Sequence, residues 1–266
     1  MFADEIARVF RRPRTAVILS LLALLPVVLG VVVKVAGGPR NGGGPPFFAD
    51  ITHNAVFLPA AALATMGTLV LPLAVAIVAG DAVAGDAANG SLRYLLLAGA
   101  SRTRVLAAKG VAALVFAFVS AFVVALVGLV VGFVLFPHGA LVTLSGQQVS
   151  VARGVADVLA SALVVGASLV GVVAVGVAIS AVTASPLTAT AITLAIVIAT
   201  EVIGAVPQLA VVRPVLLSTY WGAFVNLFRS PAYLVPVLKD LAEQAGWLVV
   251  WGVAAFSSFL NRDIVV

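Results

Sequence analysis

The sequence predicts an all-α polytopic membrane protein that forms a single transmembrane domain over residues 1–266. Hydrophobic residues make up 63% of the chain and charged residues 9%, whereas a soluble domain carries about 25% charged residues. The mean hydropathy is +1.23. Several apolar segments reach the roughly 20 residues that a helix needs to cross the hydrocarbon core of a bilayer. Because so few polar residues cannot cover a water-facing surface, we expect lipid to surround most of the chain.

Six apolar segments are candidate membrane spans, which gives six transmembrane helices. They are residues 16–36, 55–80, 105–136, 155–182, 187–206 and 245–260. Residues 1–15 combine basic side chains with apolar residues at helical spacing, which predicts an amphipathic interfacial helix on the membrane surface. Gly128 and Gly132 in the third span form a G-x-x-x-G pair, which is typical of close helix packing inside a bundle.

Residues 207–244, between the fifth and sixth spans, are too apolar for an ordinary loop. Four prolines and several charged residues interrupt this stretch. Two interpretations are open. The stretch can form a pair of short re-entrant or interfacial helices, or it can hold a seventh span near 215–228. The apolar part of 215–228 has only 14 residues, which is short for a span, so the re-entrant interpretation is favoured.

The distribution of basic residues predicts the orientation. With six spans, one side of the membrane carries nine basic residues and the other carries six. The nine are Arg8, Arg11, Arg12, Arg14, Arg93, Arg102, Arg104, Lys109 and Arg262. Because Lys and Arg are enriched in cytoplasmic loops, both termini are predicted to be cytoplasmic. A seventh span would instead move the C-terminus to the outer side.

Residues 81–109 form a polar segment between the second and third spans. Asp86 and Asn89 are residue types that cap the start of a helix, and Gly99 is suited to end one in a left-handed conformation. Ser101 can then cap the helix that becomes the third span. The segment therefore predicts a short helix, a tight break and a new helix start.

This segment resembles the cytoplasmic segment of type-2 ATP-binding-cassette (ABC) exporter permeases. The family pattern is approximately E-x-x-x-G-T-L-x-x-L-L-x-x-P-x-S-R-x-x-x-x-x-x-K. The matching positions are Asp86, Gly90, Ser91, Leu92, Leu95, Leu96, Ser101, Arg102 and Lys109. Three positions depart from the pattern, since Asp86 replaces Glu, Ser91 replaces Thr and Gly99 replaces Pro. The first two changes preserve the chemistry, and the third preserves a helix break.

The resemblance implies a function for the whole chain. Residues 81–104 would contain a short cytoplasmic coupling helix that docks into a separate ABC ATPase subunit, present in two copies. A second permease copy or a paralogue would complete the export path. ATP and Mg²⁺ would be bound by the ATPase, and this chain would bind no cofactor. Residues 207–244 would be the outer re-entrant helices, and the location would be the bacterial plasma (inner) membrane.

The sequence carries no motif for catalysis by this chain alone. It has no G-x-x-x-x-G-K-[ST] phosphate-binding loop, and with zero cysteines it has no cysteine-ligated metal site. The excess of basic residues lies at the ends of apolar segments, which indicates anionic lipid headgroups and not nucleic acid as the partner. Two other functions stay open: an ion-driven secondary transporter, and a non-transporting membrane subunit of an ABC-like complex.

Glu201 is the acidic residue that lies well inside a predicted span. A charge at the centre of a bilayer costs about 2.5–3.5 kcal/mol on insertion scales. Glu201 could face the translocation path of an exporter and contact substrate or water. Alternatively, it could form a structural hydrogen bond or lie at the level of the headgroups.

Overall fold

The computed structural model describes residues 1–37, 47–90 and 101–261, and within these ranges the chain is mostly helical. The nine α-helices of the described residues are α1 (Phe2–Arg11), α2 (Pro13–Ala36), α3 (Phe57–Gly67), α4 (Val70–Ala88), α5 (Arg102–Leu135), α6 (Val151–Ser168), α7 (Val170–Val182), α8 (Pro186–Ala205) and α9 (Val235–Asn261). Two short antiparallel strands, β1 (Leu141–Val142) and β2 (Gln148–Val149), form a hairpin between α5 and α6.

Five helical segments of the described chain are long and apolar enough to cross a membrane. They are Pro13–Ala36, Val70–Ala88, Arg102–Leu135, Val151–Val182 and Pro186–Ala205. This confirms the prediction of a mostly helical chain with several helices of membrane-spanning length and composition. The sixth predicted span, 245–260, lies within α9, which is not one of the five. The first half of α9 carries Lys239, Asp240 and Glu243, so this helix is less uniformly apolar than the others.

The second predicted span is built from two helices. The backbone of Leu69 leaves the helical region (φ −139°, ψ −46°) and separates α3 from α4. The predicted span 55–80 also ends too early, because α4 continues to Ala88. Asp86 therefore does not cap a helix start: it lies inside α4, and Asn89 follows the last residue of that helix. Helix α4 can continue past two acidic residues because basic side chains from other helices neutralise them.

Residues 207–234 contain only short 3₁₀-helices: Pro207–Leu209, Arg213–Val215 and Trp221–Phe228. The longest has eight residues, and at about 2.0 Å per residue it is far shorter than the roughly 30 Å hydrocarbon core. The alternative of a seventh span near 215–228 is therefore not supported. Trp221, Phe224 and Phe228 are buried, which explains why this stretch is so apolar.

Both ends of the described chain lie at the same end of the helix bundle. Arg102, at the start of α5, donates a hydrogen bond to the carbonyl of Leu260, near the end of α9 (2.9 Å). Lys109, two turns further along α5, pairs with Glu5 of α1. At the other end of the bundle, the Leu144 amide donates to the Phe228 carbonyl (3.0 Å). The prediction that both termini share a side agrees with this arrangement.

Small residues allow the helices to approach closely. A Cβ atom at Gly128 would lie 2.8 Å from Cα of Pro59, and one at Gly132 would lie 3.2 Å from the carbonyl carbon of Ala55. The G-x-x-x-G pair therefore serves packing within this chain, as predicted.

A buried hydroxyl joins α7 to α4. The hydroxyl of Ser180 donates to the Gly80 carbonyl (2.7 Å) and accepts from the amides of Val83 (3.0 Å) and Ala84 (2.8 Å). Ser180 is fully buried, so no water competes for these bonds. The second half of α4 is thereby fixed against α7.

Candidate coupling site

A cluster of charged side chains joins α1, α2, α4 and α5 at the end of the bundle that holds the termini. We call it the basal cluster, and it consists of Glu5, Arg8, Arg12, Arg14, Asp81, Asp86 and Lys109. Four of its members are basic and three are acidic, so most of the charge is balanced internally. Such balance is what a membrane environment requires of charges that lie near its apolar core.

Lys109 lies at the centre of the basal cluster. Its ammonium nitrogen lies 2.5 Å from Oδ2 of Asp86 and 2.9 Å from Oε1 of Glu5. Lys109 is 2% exposed and Asp86 is 4% exposed. Arg8 and Arg12 approach the same Asp86 carboxylate at 3.7 and 3.8 Å. Because Lys109 and Asp86 are buried, each depends on its charged partners for compensation.

Asp81 holds the junction between α1 and α2. Its carboxylate pairs with both Arg12 and Arg14, and Asp81 is 5% exposed. Arg12 is the extended residue between the two helices, and Pro13 occupies the first turn of α2, where its missing N–H costs nothing. Gly85 makes room for the acidic side chain, since a Cβ there would lie 2.7 Å from Cγ of Asp81.

Helix α1 combines this ionic contact with an apolar one. The prediction of an amphipathic helix within residues 1–15 agrees with α1, which has acidic residues in its first turn and basic residues in its last, as the helix dipole favours. Val9 and Phe10 pack against the buried core, and the rings of Phe10 and Phe116 lie 6.2 Å apart. The helix is therefore attached to the bundle as well as suited to the membrane surface.

Four of the predicted docking residues lie within the described ranges, and their positions and contacts are as follows. Asp86 is buried in the basal cluster and faces α1 and α5. Gly90 follows α4 with a left-handed backbone (φ 69°), a conformation that glycine adopts without strain. The Ser101 hydroxyl accepts from the Arg104 amide (3.4 Å) and caps α5 as predicted. Arg102 bonds to the end of α9.

The remaining predicted docking residues lie outside the described ranges. They are Ser91, Leu92, Leu95 and Leu96, together with Gly99 at the predicted helix break. The described residues on either side are the end of α4 and the start of α5, which the basal cluster connects through Asp86 and Lys109. The segment 91–100 is thus attached at both ends to one ionic assembly.

Sequence reasoning did not identify Glu5 or the pairing of Asp81 with Arg12 and Arg14. A signal was present, because Asp81, Asp86 and Lys109 all lie at ends of apolar segments on one predicted side. Charges in such places usually pair. The signal indicates that partners exist without indicating which residues they are.

Glu201 lies four residues before the end of α8. The side chain of Ser218, a residue of the stretch between α8 and α9, lies near the carboxylate of Glu201. This position near the end of a span is compatible with the alternative of a structural role. A role in a translocation path stays a prediction.

Comparisons with known proteins give a family and no function. No curated protein matches the sequence. A family model described as "Protein of unknown function (DUF2705)" matches residues 49–264, which include α3 to α9 and the acidic residues Asp81 and Asp86 of the basal cluster. Because this match covers most of the chain, the protein belongs to the DUF2705 family of proteins of unknown function.

Proposed function

We propose that this chain is the transmembrane subunit of an ABC exporter in the bacterial plasma membrane. It forms part of the substrate path and couples to a separate ATPase subunit through residues 81–104. The observation that carries the proposal is the basal cluster, which connects both attachment points of segment 91–100 to α1. The sequence pattern in this segment, from Asp86 to Lys109, supplies the family resemblance.

The basal cluster suits mechanical coupling. A force applied to segment 91–100 reaches α4 and α5, and the Asp86–Lys109 pair (2.5 Å) makes these two helices respond together. Glu5 extends the connection to α1. In this proposal, Asp86 and Arg102 position the coupling segment from within the permease. Leu92, Leu95 and Leu96 provide the apolar contact with the ATPase.

The proposed assembly contains two permease chains and two ATPase subunits. Each permease has six spans, the sixth formed by residues 245–260 of α9, with both termini in the cytoplasm and the stretch 207–244 on the outer side. The second permease is another copy of this chain or a paralogue. ATP and Mg²⁺ bind to the ATPase, where hydrolysis takes place, so this chain is not an enzyme by itself.

Purification of the intact complex tests this proposal. The full chain, tagged at its C-terminus and expressed in its native host, is extracted in a mild detergent. We expect an ATPase subunit with a phosphate-binding loop to co-purify in equal amount and to hydrolyse Mg-ATP. Extraction of the chain without any such ATPase would overturn the proposal.

A pair of matched variants tests where the ATPase binds. Leu95→Glu places a charge in the predicted coupling segment, whereas Leu144→Glu places one on a residue that is 45% exposed at the opposite end of the bundle. We expect Leu95→Glu to reduce ATPase recovery at least tenfold and Leu144→Glu to leave it unchanged. Equal recovery with both variants contradicts docking through residues 81–104.

The positioning residues and Glu201 give separate readouts. Asp86→Asn and Arg102→Gln should leave the chain inserted and the ATPase bound, but uncouple ATP hydrolysis from transport. Glu201→Gln should change transport or ATPase stimulation if Glu201 contacts the path. Unchanged transport would assign Glu201 to a structural role beside Ser218. An ATPase that binds without any transport would instead indicate a non-transporting subunit, and transport driven by an ion gradient would indicate a secondary transporter.

A further inference from the structure

A cavity of about 440 Å³ lies between α9 and the 3₁₀-helix Arg213–Val215, far from the basal cluster. Its walls include Pro214, Val215, Glu243, Trp247 and Trp251. The lining residues are apolar or aromatic apart from Glu243. A pocket of this size and composition is typical of a small-molecule site, where a few polar groups fix the orientation of a ligand.

Two tryptophans form one wall of the cavity. Trp247 and Trp251 are one helical turn apart on α9, and their rings are nearly parallel (5°) with centroids 6.5 Å apart. The indole N–H of Trp247 donates to the carbonyl of Val215 (3.2 Å), which fixes this ring against the opposite wall. The faces of indole rings carry negative potential and attract cations.

Glu243 lies one turn before Trp247 on the same helix, ahead of the apolar segment 245–260. Both of its carboxylate oxygens are buried and accept no hydrogen bond from any described residue. Burial, followed by the nearby charge of Asp240, raises the pKa of Glu243 to about 8. The Asp240 carboxylate accepts a hydrogen bond from Ser168 (2.5 Å). Above about pH 8, Glu243 is a buried carboxylate without a donor, which is costly, and a cation bound beside it would lower that cost.

The lining also restricts the kind of cation. A hydrated divalent metal ion needs about six oxygen ligands, and the described residues contain no group of three His, Cys, Asp or Glu side chains that could hold a metal. A primary ammonium would need several acceptors for its N–H groups, and the Val215 carbonyl already accepts from Trp247. A weakly hydrated quaternary ammonium needs only aromatic faces and one negative charge.

The surface beside the cavity is apolar. Val250 lines the cavity, and Val250 and Val253 are each 65% exposed along the same helix. An alkyl chain lying along these residues would extend from the cavity into the surrounding lipid.

We propose that this cavity binds the headgroup of an amphiphile that carries a quaternary ammonium, with Trp247 and Trp251 contacting the cation, Glu243 neutralising it and the alkyl chain lying along Val250 and Val253. This site does not depend on the proposed coupling to an ATPase. It would exist equally in a transporter of another class.

Ligand titration of the purified full chain tests this proposal. The protein is held in a neutral maltoside detergent at mildly alkaline pH, and dodecyltrimethylammonium is added while tryptophan fluorescence is recorded. Two of the three tryptophans of the chain line the cavity, so we expect saturable quenching. The analogue that replaces trimethylammonium with a neutral tert-butyl group should bind at least tenfold more weakly.

Variants separate the cavity from nonspecific detergent binding. We expect Glu243→Gln to weaken binding of the cation at least tenfold while leaving the affinity for the neutral analogue unchanged. Trp251→Leu provides a second variant with the same expected loss, in case Glu243→Gln does not fold. Asp50→Asn makes a matched acid-to-amide change outside the cavity and should bind like the wild type.

Three results would overturn the proposal: equal affinity for the cation and its neutral analogue, unchanged binding in Glu243→Gln, or a wild-type chain that binds no cation because a second copy covers the cavity. Light scattering identifies that last case: the wild-type chain would be a dimer, and Glu243→Gln would change its oligomeric state. A further arm with dodecylphosphocholine identifies the source of the ligand. Tight binding of this zwitterion supports a choline lipid, and its exclusion supports a simple cationic amphiphile.

Discussion

Replacing Lys109 with methionine tests whether the basal cluster stabilises the bundle. Methionine keeps the apolar stem of lysine and removes its charge. Removing one partner of a buried ion pair costs about 3–5 kcal/mol. Lys109 is 2% exposed and bridges Asp86 and Glu5, but Arg8 and Arg12 stay within 3.7 and 3.8 Å of Asp86. Because these arginines continue to compensate Asp86, we expect a loss near the lower end, about 3 kcal/mol.

Thermal unfolding in detergent, followed by tryptophan fluorescence, measures this loss. All three tryptophans lie in or after the Trp221–Phe228 segment, so they report unfolding of the bundle and not a local change at the basal cluster. A loss of about 3 kcal/mol corresponds to a decrease in Tm of about 6–12 °C for a chain of this size. Lys34→Met, a matched change at an exposed lysine that loses only a cation–π contact with Phe136, should lower stability by no more than about 0.5–1 kcal/mol.

A double-mutant cycle decides whether the pair itself is responsible. Asp86→Asn is combined with Lys109→Met, and the interaction energy is the departure from additivity. Contacting charged residues give interaction energies of about 0.5–3 kcal/mol, and we expect at least about 1 kcal/mol here. Additive effects within about 0.3 kcal/mol, or a Tm of Lys109→Met equal to that of the wild type, would refute the structural role of Lys109.

Three further predictions concern single positions. Gly90→Ala should lower the free energy of unfolding by about 1–2 kcal/mol, because φ is 69°; thermal unfolding measures the loss, and an unchanged Tm would contradict it. Arg102→Gln should fray the end of α9, where Arg102 bonds to the Leu260 carbonyl, and amide hydrogen exchange at residues 257–261 should become faster than in Arg104→Gln. Burial raises the pKa of Asp240 from 3.8 to about 6, so the native state binds a proton that the unfolded state releases, and this contribution to stability is lost as pH rises towards 6. The stability of Asp240→Asn relative to the wild type should therefore rise by on the order of 3 kcal/mol between about pH 4 and pH 7; a pH-independent difference in Tm would contradict it.

The apolar segments predicted most of the helices, because helices that cross lipid must satisfy all of their backbone hydrogen bonds internally. The Ser101 cap was also predictable, since the bond it makes reaches only three residues along the chain. The extension of α4 to Ala88 was not, because it depends on Asp81 meeting Arg12, which is 69 residues away. Local sequence contains no information about such a partner.

The stretch between α8 and α9 illustrates a second limit. Its apolar composition predicted burial or membrane contact but not 3₁₀ geometry. Trp221, Phe224 and Phe228 are buried against the bundle, so tertiary packing and not local preference determines this conformation. The cavity beside α9 was likewise not predicted, since Glu243 and Trp247 face Val215 only after the chain has folded back.

The hydroxyl of Ser180 has a consequence for how this protein can move. Its three bonds to α4 would have to break together before α4 could slide along α7, in a place where no solvent replaces them. Helix α7 and the second half of α4 should therefore move together as one rigid unit. Any bending of the α3–α4 unit is left to the interruption at Leu69, which makes this residue the hinge about which the charged end of the bundle can tilt.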